Sequence, residues 1–252
     1  SQSAFDLNAS SPTGIFYDEV FVRASFLGGA QLYDMDRVEV LRGPQGTLFG
    51  KETVGGAVSY VTRAPEFDTS GYLSGEYGNY NYVALQGAAN TQIIDDKLAV
   101  RFSFNTNQSD GFVKNLQPGG RDKSNLDKTA FRVAMKYKDD AGFEATLRYS
   151  YTRSSPEAVG TNVTGYLPGN TNAFGFDPRI DPVTGRRLGA REGYYDRDGQ
   201  IRVRGDGISL TMKKDLGSVA LTSISSYLKG YFLNEVDGDG STANLLALDF
   251  RA

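Results

Sequence analysis

The chain contains no cysteine and no histidine. The first absence excludes disulfides, thiol catalysis and cysteine-based metal sites. The second removes the commonest general base and the commonest transition-metal ligand. No run approaches the roughly 18 apolar residues that a transmembrane helix requires, although a membrane barrel escapes that test because only alternate residues of its strands face lipid. Basic excess is also missing: the net charge is −3 and the pI about 5.2, so the electrostatic footprint of a nucleic-acid binder is absent. The first residues, Ser1 to Asp6, lack the basic and apolar regions of a signal peptide, and the expectation is that a preceding segment is missing. What is abundant is glycine (30), tyrosine (15) and phenylalanine (15), with 39% hydrophobic residues overall. That mixture suits a β-rich chain with many turns.

The pattern changes near Pro65. Before it the segments are short and mixed: strand-like runs at Ile15 to Val22, Arg37 to Leu41 and Ala57 to Thr62, separated by the turn-dense Arg42-Gly43-Pro44-Gln45-Gly46. Residues 1–65 therefore read as a small α+β unit. From residue 66 to 252 the chain alternates apolar and polar residues in strand-length runs. Leu98, Val100, Phe102 and Phe104 oppose Ala99, Arg101, Ser103 and Asn105, and Phe131, Val133, Met135 and Tyr137 oppose Arg132, Ala134 and Lys136. Phe143 to Tyr151 and Ile208 to Met212 repeat the pattern, two weaker runs lie near Gly71–Tyr77 and Tyr82–Asn90, and a seventh runs from about Val219 to Leu228 with ambiguous facing.

The connections alternate between tight (Asp139–Gly142, Asp215–Ser218) and long and polar (about residues 106–127 and 152–204). Tyrosines (Tyr77, Tyr80, Tyr82, Tyr149, Tyr151 and Tyr227) gather toward the long-loop ends, where amphipathic rings favour a membrane interface. Alternating short turns and long loops characterise outer-membrane barrels, and a compact soluble domain rarely carries fifty residues of loop. Seven strands leave an open edge that lipid does not tolerate, so strands beyond Ala252 are expected.

Arg37-Val38-Glu39-Val40-Leu41-Arg42-Gly43-Pro44-Gln45-Gly46-Thr47-Leu48-Phe49-Gly50, followed by Val54-Gly55-Gly56-Ala57-Val58-Ser59-Tyr60-Val61-Thr62, closely resembles the latter half of the plug of TonB-dependent outer-membrane receptors. Upstream, Gly14-Ile15-Phe16-Tyr17-Asp18-Glu19-Val20 is similar to the same family's plug. The motif likeness spans about Phe5 to Pro65; beyond that it is one of strand rhythm. Two departures stand out: Glu19 where the family usually has glycine, and Lys51-Glu52 where it has Arg-Asn.

The resemblance implies a mainly β fold: a transmembrane antiparallel barrel, about seven strands of an expected 22, behind an incomplete N-terminal α+β plug. It implies no enzyme and no cofactor. It implies TonB-dependent uptake, across the bacterial outer membrane, of a scarce large solute, a ferric siderophore first. The other readings are a porin-like passive channel, uptake of cobalamin or an oligosaccharide, and a soluble β-rich domain whose Phe102–Phe131 face would be buried. The implied partners are outer-membrane lipid and the TonB-ExbB-ExbD complex, which would pull a missing N-terminal segment of a monomer.

Glu39, Arg42, Gly43, Pro44, Gly46, Gly50, Gly55 and Gly56 form the plug motif. The resemblance makes Glu39 and Arg42 the plug-side candidates for ion pairs to the barrel wall, with Arg101, Arg132, Glu144 and Arg148 the candidate lumen-facing partners.

Other motifs carry less. Gly50-Lys51 fails as a phosphate loop because Gln45 and Glu52 occupy required positions. Asp237-Gly238-Asp239-Gly240-Ser241 fails as a calcium loop, with Thr242 at the sixth and Leu248 at the twelfth position. Arg179, Arg186, Arg187, Arg191 and Arg197 in the longest loop are candidates for anion capture, against the plainer reading of solvated charge.

Overall fold

The computed structural model describes residues 13–27, 31–44, 46, 53–160, 168–171, 175, 177, 179–237 and 247–251. Two sheets dominate. The smaller one holds β1 (Thr13–Tyr17), β2 (Val20–Phe21), β3 (Met35–Arg42) and β4 (Gly56–Thr62), in the order β2-β1-β4-β3. β4 is central, parallel to β1 and antiparallel to β3. A 3-10 turn, Ser25–Leu27, leaves this sheet toward the larger one.

The β1–β2 turn places Asp18 at φ 47° and Glu19 at φ 68°. Both lie in the left-handed region that favours glycine, which gives the family's usual glycine at position 19 a physical reason. Left-handed backbone costs a side-chain-bearing residue roughly 1–2 kcal/mol, more than the roughly 0.4–1 kcal/mol that glycine forfeits through the unfolded chain. Glu19→Gly is therefore expected to raise stability by up to about 1.5 kcal/mol; a lowered denaturation midpoint would contradict this.

The larger sheet is an antiparallel meander of β5 (Ser70–Gly78), β6 (Tyr82–Ile94), β7 (Leu98–Ser109), β9 (Leu126–Lys138), β10 (Phe143–Ser154), β12 (Ile201–Asp215), β13 (Ala220–Asp237) and β14 (Ala247–Arg251). The seven expected strands are all present, and β14 adds an eighth. Two short strands, β8 (Lys114–Asn115) and β11 (Glu192–Gly193), pair in parallel outside it. Five of the eight strands run 12 to 15 residues and β13 reaches 18, where globular strands average five or six. The strands also exceed the sequence expectation at their polar ends. The long connections shrink to 110–125 and 155–200, because residues such as Thr106, Lys128 and Arg153 continue the ladder.

All connections at one end of the meander are tight. Residues 95–97, 139–142 and 216–219 each close a turn. Asp139 accepts the N–H groups of Ala141 and Phe143 at 2.9 and 2.8 Å, and Asp215 accepts Gly217 N–H at 2.7 Å. The long connections lie at the other end.

Strand parity separates two faces. Arg101, Ala134, Arg148 and Ser209 lie in one register row on the face toward the small sheet, and Phe102, Val133, Tyr149, Ile208 and Tyr227 lie in another on the opposite face. Nothing among the described residues covers that outer face: Phe102 is 43% exposed, Leu147 41%, Ile208 45% and Tyr227 67%. A soluble protein does not leave so continuous an apolar face bare. From Phe143 to Tyr151 the band spans about 26 Å along the strand, or about 20 Å in height at the usual tilt, close to a barrel's lipid-facing band. β13 resolves its ambiguous facing by carrying apolar residues on both sides: Leu221 and Tyr227 outward, Ile224 and Leu228 inward.

Candidate functional site at the seam between the two sheets

Inward-facing residues of the wall are small where the small sheet comes near. Ala99 and Ala130 are fully buried and Ala134 nearly so. Gly205 and Gly230 make room for Leu27 and Phe26 of the 3-10 turn, and the Phe26 ring packs 5.4 Å from Phe232. Among these small residues stand three arginines, one on each of β7, β9 and β10.

Arg101 grips Asp34 through two parallel hydrogen bonds, Nε to Oδ2 at 2.8 Å and Nη2 to Oδ1 at 2.5 Å. The two side chains are 6% and 1% exposed, so this is a desolvated bidentate pair, the strongest ion-pair geometry available. Arg132 donates to the backbone carbonyls of Gln31 and Tyr33 at 3.2 and 3.5 Å and stacks 4.7 Å over the Tyr33 ring. Gln31 in turn donates to Ser150 Oγ at 3.2 Å. Arg148 lies 3.3 Å from Asp18, an ion pair whose Nε makes no hydrogen bond. The Asp18 carboxylate is fixed by Thr62, whose N–H and hydroxyl donate to it at 2.9 and 2.7 Å.

The linker between the sheets is held too. Asn90, buried on β6, donates to the carbonyls of Glu66 and Asp68 and accepts Glu66 N–H at 3.0 Å. Phe67 sits under the Lys138 ammonium at 4.4 Å. Two cavities remain at the seam, one of about 60 Å³ lined in part by Tyr17, Gln31, Arg132 and Leu228, and one of about 220 Å³ beside Asp18, Glu19, Glu144 and Arg148. The small sheet is thus held by polar clamps over small side chains.

The plug-side carboxylates in these clamps, Asp18 and Asp34, were not singled out by sequence. No motif marks either one; the family-like glycine position beside Asp18 was the nearest signal. Glu39 pairs within its own sheet, with Arg37 at 2.7 Å and both side chains exposed. Arg42 ends β3 exposed, followed by Gly43 at φ 81° and exposed Pro44. Gly46 and Gly55 are exposed or open, Gly56 is buried at φ 142°, and Gly50 lies outside the described residues. Glu144 shares the inward parity and pairs with Lys136 at 3.4 Å. Among the described residues no group of three or more His, Cys, Asp or Glu could hold a metal.

The long connections fold onto each other. Asn115 exchanges two hydrogen bonds with the Tyr195 backbone at 3.0 and 3.1 Å, and buried Lys123 pairs with Asp198 at 2.9 Å. Several of the loop arginines are engaged: Arg179 with Asp177, Arg186 with Glu192, Arg197 with Asp249 and Arg191 with the Tyr80 hydroxyl. The Thr184 hydroxyl, the Val183 N–H and the Tyr194 hydroxyl hold the Asp181 carboxyl down to about 2. A depressed carboxylate stabilises the fold above its ordinary value of 3.8 and loses that contribution as pH falls toward about 2. Loop proteolysis should therefore accelerate between about pH 4 and 2, and Tyr194→Phe, which raises the folded-state value toward 3.8, should make that acid acceleration smaller; identical profiles would refute the account.

No family model matches the chain. It is 27% identical over 139 residues to the vitamin B12 transporter BtuB of Vibrio vulnificus, an alignment that covers 53% of this chain and 22% of that protein. Over 44 residues it is 50% identical to the pesticin receptor of Yersinia pestis, which is 18% of this chain and 6% of that one. In structure it is similar to the ferric yersiniabactin uptake receptor FyuA of Yersinia pestis, with TM-score 0.71, 22% identity and coverage of 90% of this chain and 33% of that one. The ferric-catecholate import receptor Fiu of E. coli in its open form follows, with TM-score 0.63, 18% identity and coverage of 92% and 34%.

The small sheet, the clamps and the wall with its bare apolar face define the class of fold: an antiparallel β-barrel wall with a plug against its inner face. Within that class the fold is that of the TonB-dependent outer-membrane receptors, and the chain spans about a third of the length of the solved receptors and less of the curated relatives.

Proposed function

We propose that residues 1–65 are the latter half of a plug and residues 66–252 the first part of the barrel of a TonB-dependent outer-membrane transporter. It takes up a scarce large solute, a ferric siderophore in the first place, and is not an enzyme. The segments near 106–127 and 152–204 are its extracellular loops, and TonB-ExbB-ExbD supplies the energy through a segment ahead of the plug.

One observation carries this reading: the small sheet is clamped to the wall by ion pairs and hydrogen bonds across the seam. Polar clamps over small residues hold a closure that can be released, because water can solvate each partner once they part. A permanently fused core would be apolar. The FyuA and Fiu titles name ferric cargo, which favours iron. The BtuB match favours cobalamin as the second reading.

Iron-starved cells carrying or lacking the full reading frame separate the two. Accumulation of radiolabelled ferric siderophore that stops when TonB is removed supports the first reading; TonB-dependent accumulation of labelled cobalamin supports the second. A large steady conductance of the purified protein in liposomes would overturn both in favour of an open porin.

A further inference from the structure

The outer face changes character abruptly at the long-loop end. The register row Val133–Tyr149–Ile208–Tyr227 is apolar and aromatic. One row higher stand Phe131, Tyr151, Asp206 and Lys229, and the next holds Thr129, Arg153, Arg204 and Tyr231. Side chains of the same parity continue onto the same face, so the charges stand directly above the lipid-facing band rather than over the lumen.

Here the surface opens into a concavity of about 970 Å³. Five cations line it, Arg121, Arg153, Arg202, Arg204 and Lys229, against three carboxylates, Asp127, Glu157 and Asp206. Several of the cations keep free hydrogen-bonding capacity. Lys229 has no partner among the described residues. Among the described residues the Arg202 side chain donates only to Gln200, at 2.8 Å. Arg204 lies 5.6 Å over the Tyr151 ring and 3.4 Å from Asp206, with its side chain 62% exposed. Tyr149 closes the apolar side by donating to Asp206 at 3.2 Å. Arginine forks and a lysine point charge match phosphate oxygens, and basic pockets at a membrane surface hold anionic head groups.

We propose that this concavity binds the phosphorylated head group of a glycolipid of the outer leaflet. The phosphates meet Arg202, Arg204 and Lys229, and the acyl chains run down the apolar band past Tyr149, Ile208 and Tyr227. Continuity between the cationic pocket and that band selects an amphiphile over a free anion. The inference rests on the outer-membrane reading above.

The test uses the receptor expressed from its full reading frame and reconstituted in phosphatidylethanolamine nanodiscs. The probes are bisphosphorylated lipid A, the same lipid with its phosphates removed, and inorganic phosphate. Wild type should retain bisphosphorylated lipid A at low salt. Lys229→Gln should weaken retention about fivefold, and the triple variant Arg202→Gln, Arg204→Gln, Lys229→Gln about 100-fold, with the heat-modifiable gel mobility of a folded barrel unchanged. Equal retention by wild type and both variants overturns the proposal. So does equal retention of the dephosphorylated lipid, or displacement of lipid A by inorganic phosphate at matched concentration. Recovery of the protein from the soluble fraction would overturn the outer-membrane reading as well; recovery in the outer membrane without lipid preference overturns this inference alone.

Discussion

Asp34→Asn is expected to weaken the attachment of the small sheet by about 3–5 kcal/mol, the cost of leaving a buried guanidinium without its counter-charge. Asparagine keeps the size of the side chain but presents one acceptor oxygen and an N–H₂ group to the Arg101 fork, so one hydrogen bond is lost and a donor faces a donor. Arg101 cannot relieve this by losing its proton, and at 6% exposure it cannot reach water without moving the sheet. Amide exchange in β3 and β4 should accelerate by about 10²–10⁴-fold, and cells carrying the variant should become sensitive to antibiotics too large for ordinary porins. The pair Asp34→Leu with Arg101→Met should recover most of the loss, since apolar replacement of both partners leaves no buried charge. Unchanged exchange in the single variant would remove the clamp from the account.

The second large effect is Gly56→Ala. Gly56 begins the central strand of the small sheet, at φ 142°, and a Cβ there would sit 2.5 Å from the Leu41 carbonyl oxygen. The side chain would meet backbone of the paired strand, which cannot swing aside as a side chain can. The backbone conformation and the clash together should cost roughly 2–4 kcal/mol and part β3 from β4 at their Arg42–Gly56 end. Gly43 supplies the comparison: its φ is 81° but nothing lies within 4 Å, so Gly43→Ala should cost only about 1 kcal/mol. Equal denaturation midpoints for the two variants would show that the contact with Leu41 is not what demands glycine.

Strand parity made the wall legible. An alternation such as Leu98, Val100, Phe102, Phe104 records the difference between the bare apolar face and the interior, and seven such runs are strands of the meander. β14 escaped because Ala247–Arg251 is short and offers too few residues for a period to show. Strand lengths were underread for a related reason. Where the ladder rises beyond the apolar band both faces are polar, and Thr106 to Ser109 look like loop although they hydrogen-bond as strand. The long connections looked structureless because their order comes from single long-range contacts such as Asn115 with Tyr195, which leave no periodic trace. The clamp carboxylates were illegible for the same reason. Asp18 and Asp34 are isolated residues whose partners lie on distant strands, while the more conspicuous Glu39 is satisfied two residues away by Arg37.

The same long separations impose an order in time. Asp34 finds Arg101 67 residues downstream, the Gln31 carbonyl finds Arg132 after 101, and the Gln31 amide finds Ser150 after 119. The wall strands, by contrast, pair with their neighbours in chain order, so they can be added one hairpin at a time. A small sheet formed early therefore lacks its wall-side partners until β7, β9 and β10 arrive in turn. Each new strand brings one more fastening, and the seam is sewn in the direction of the chain.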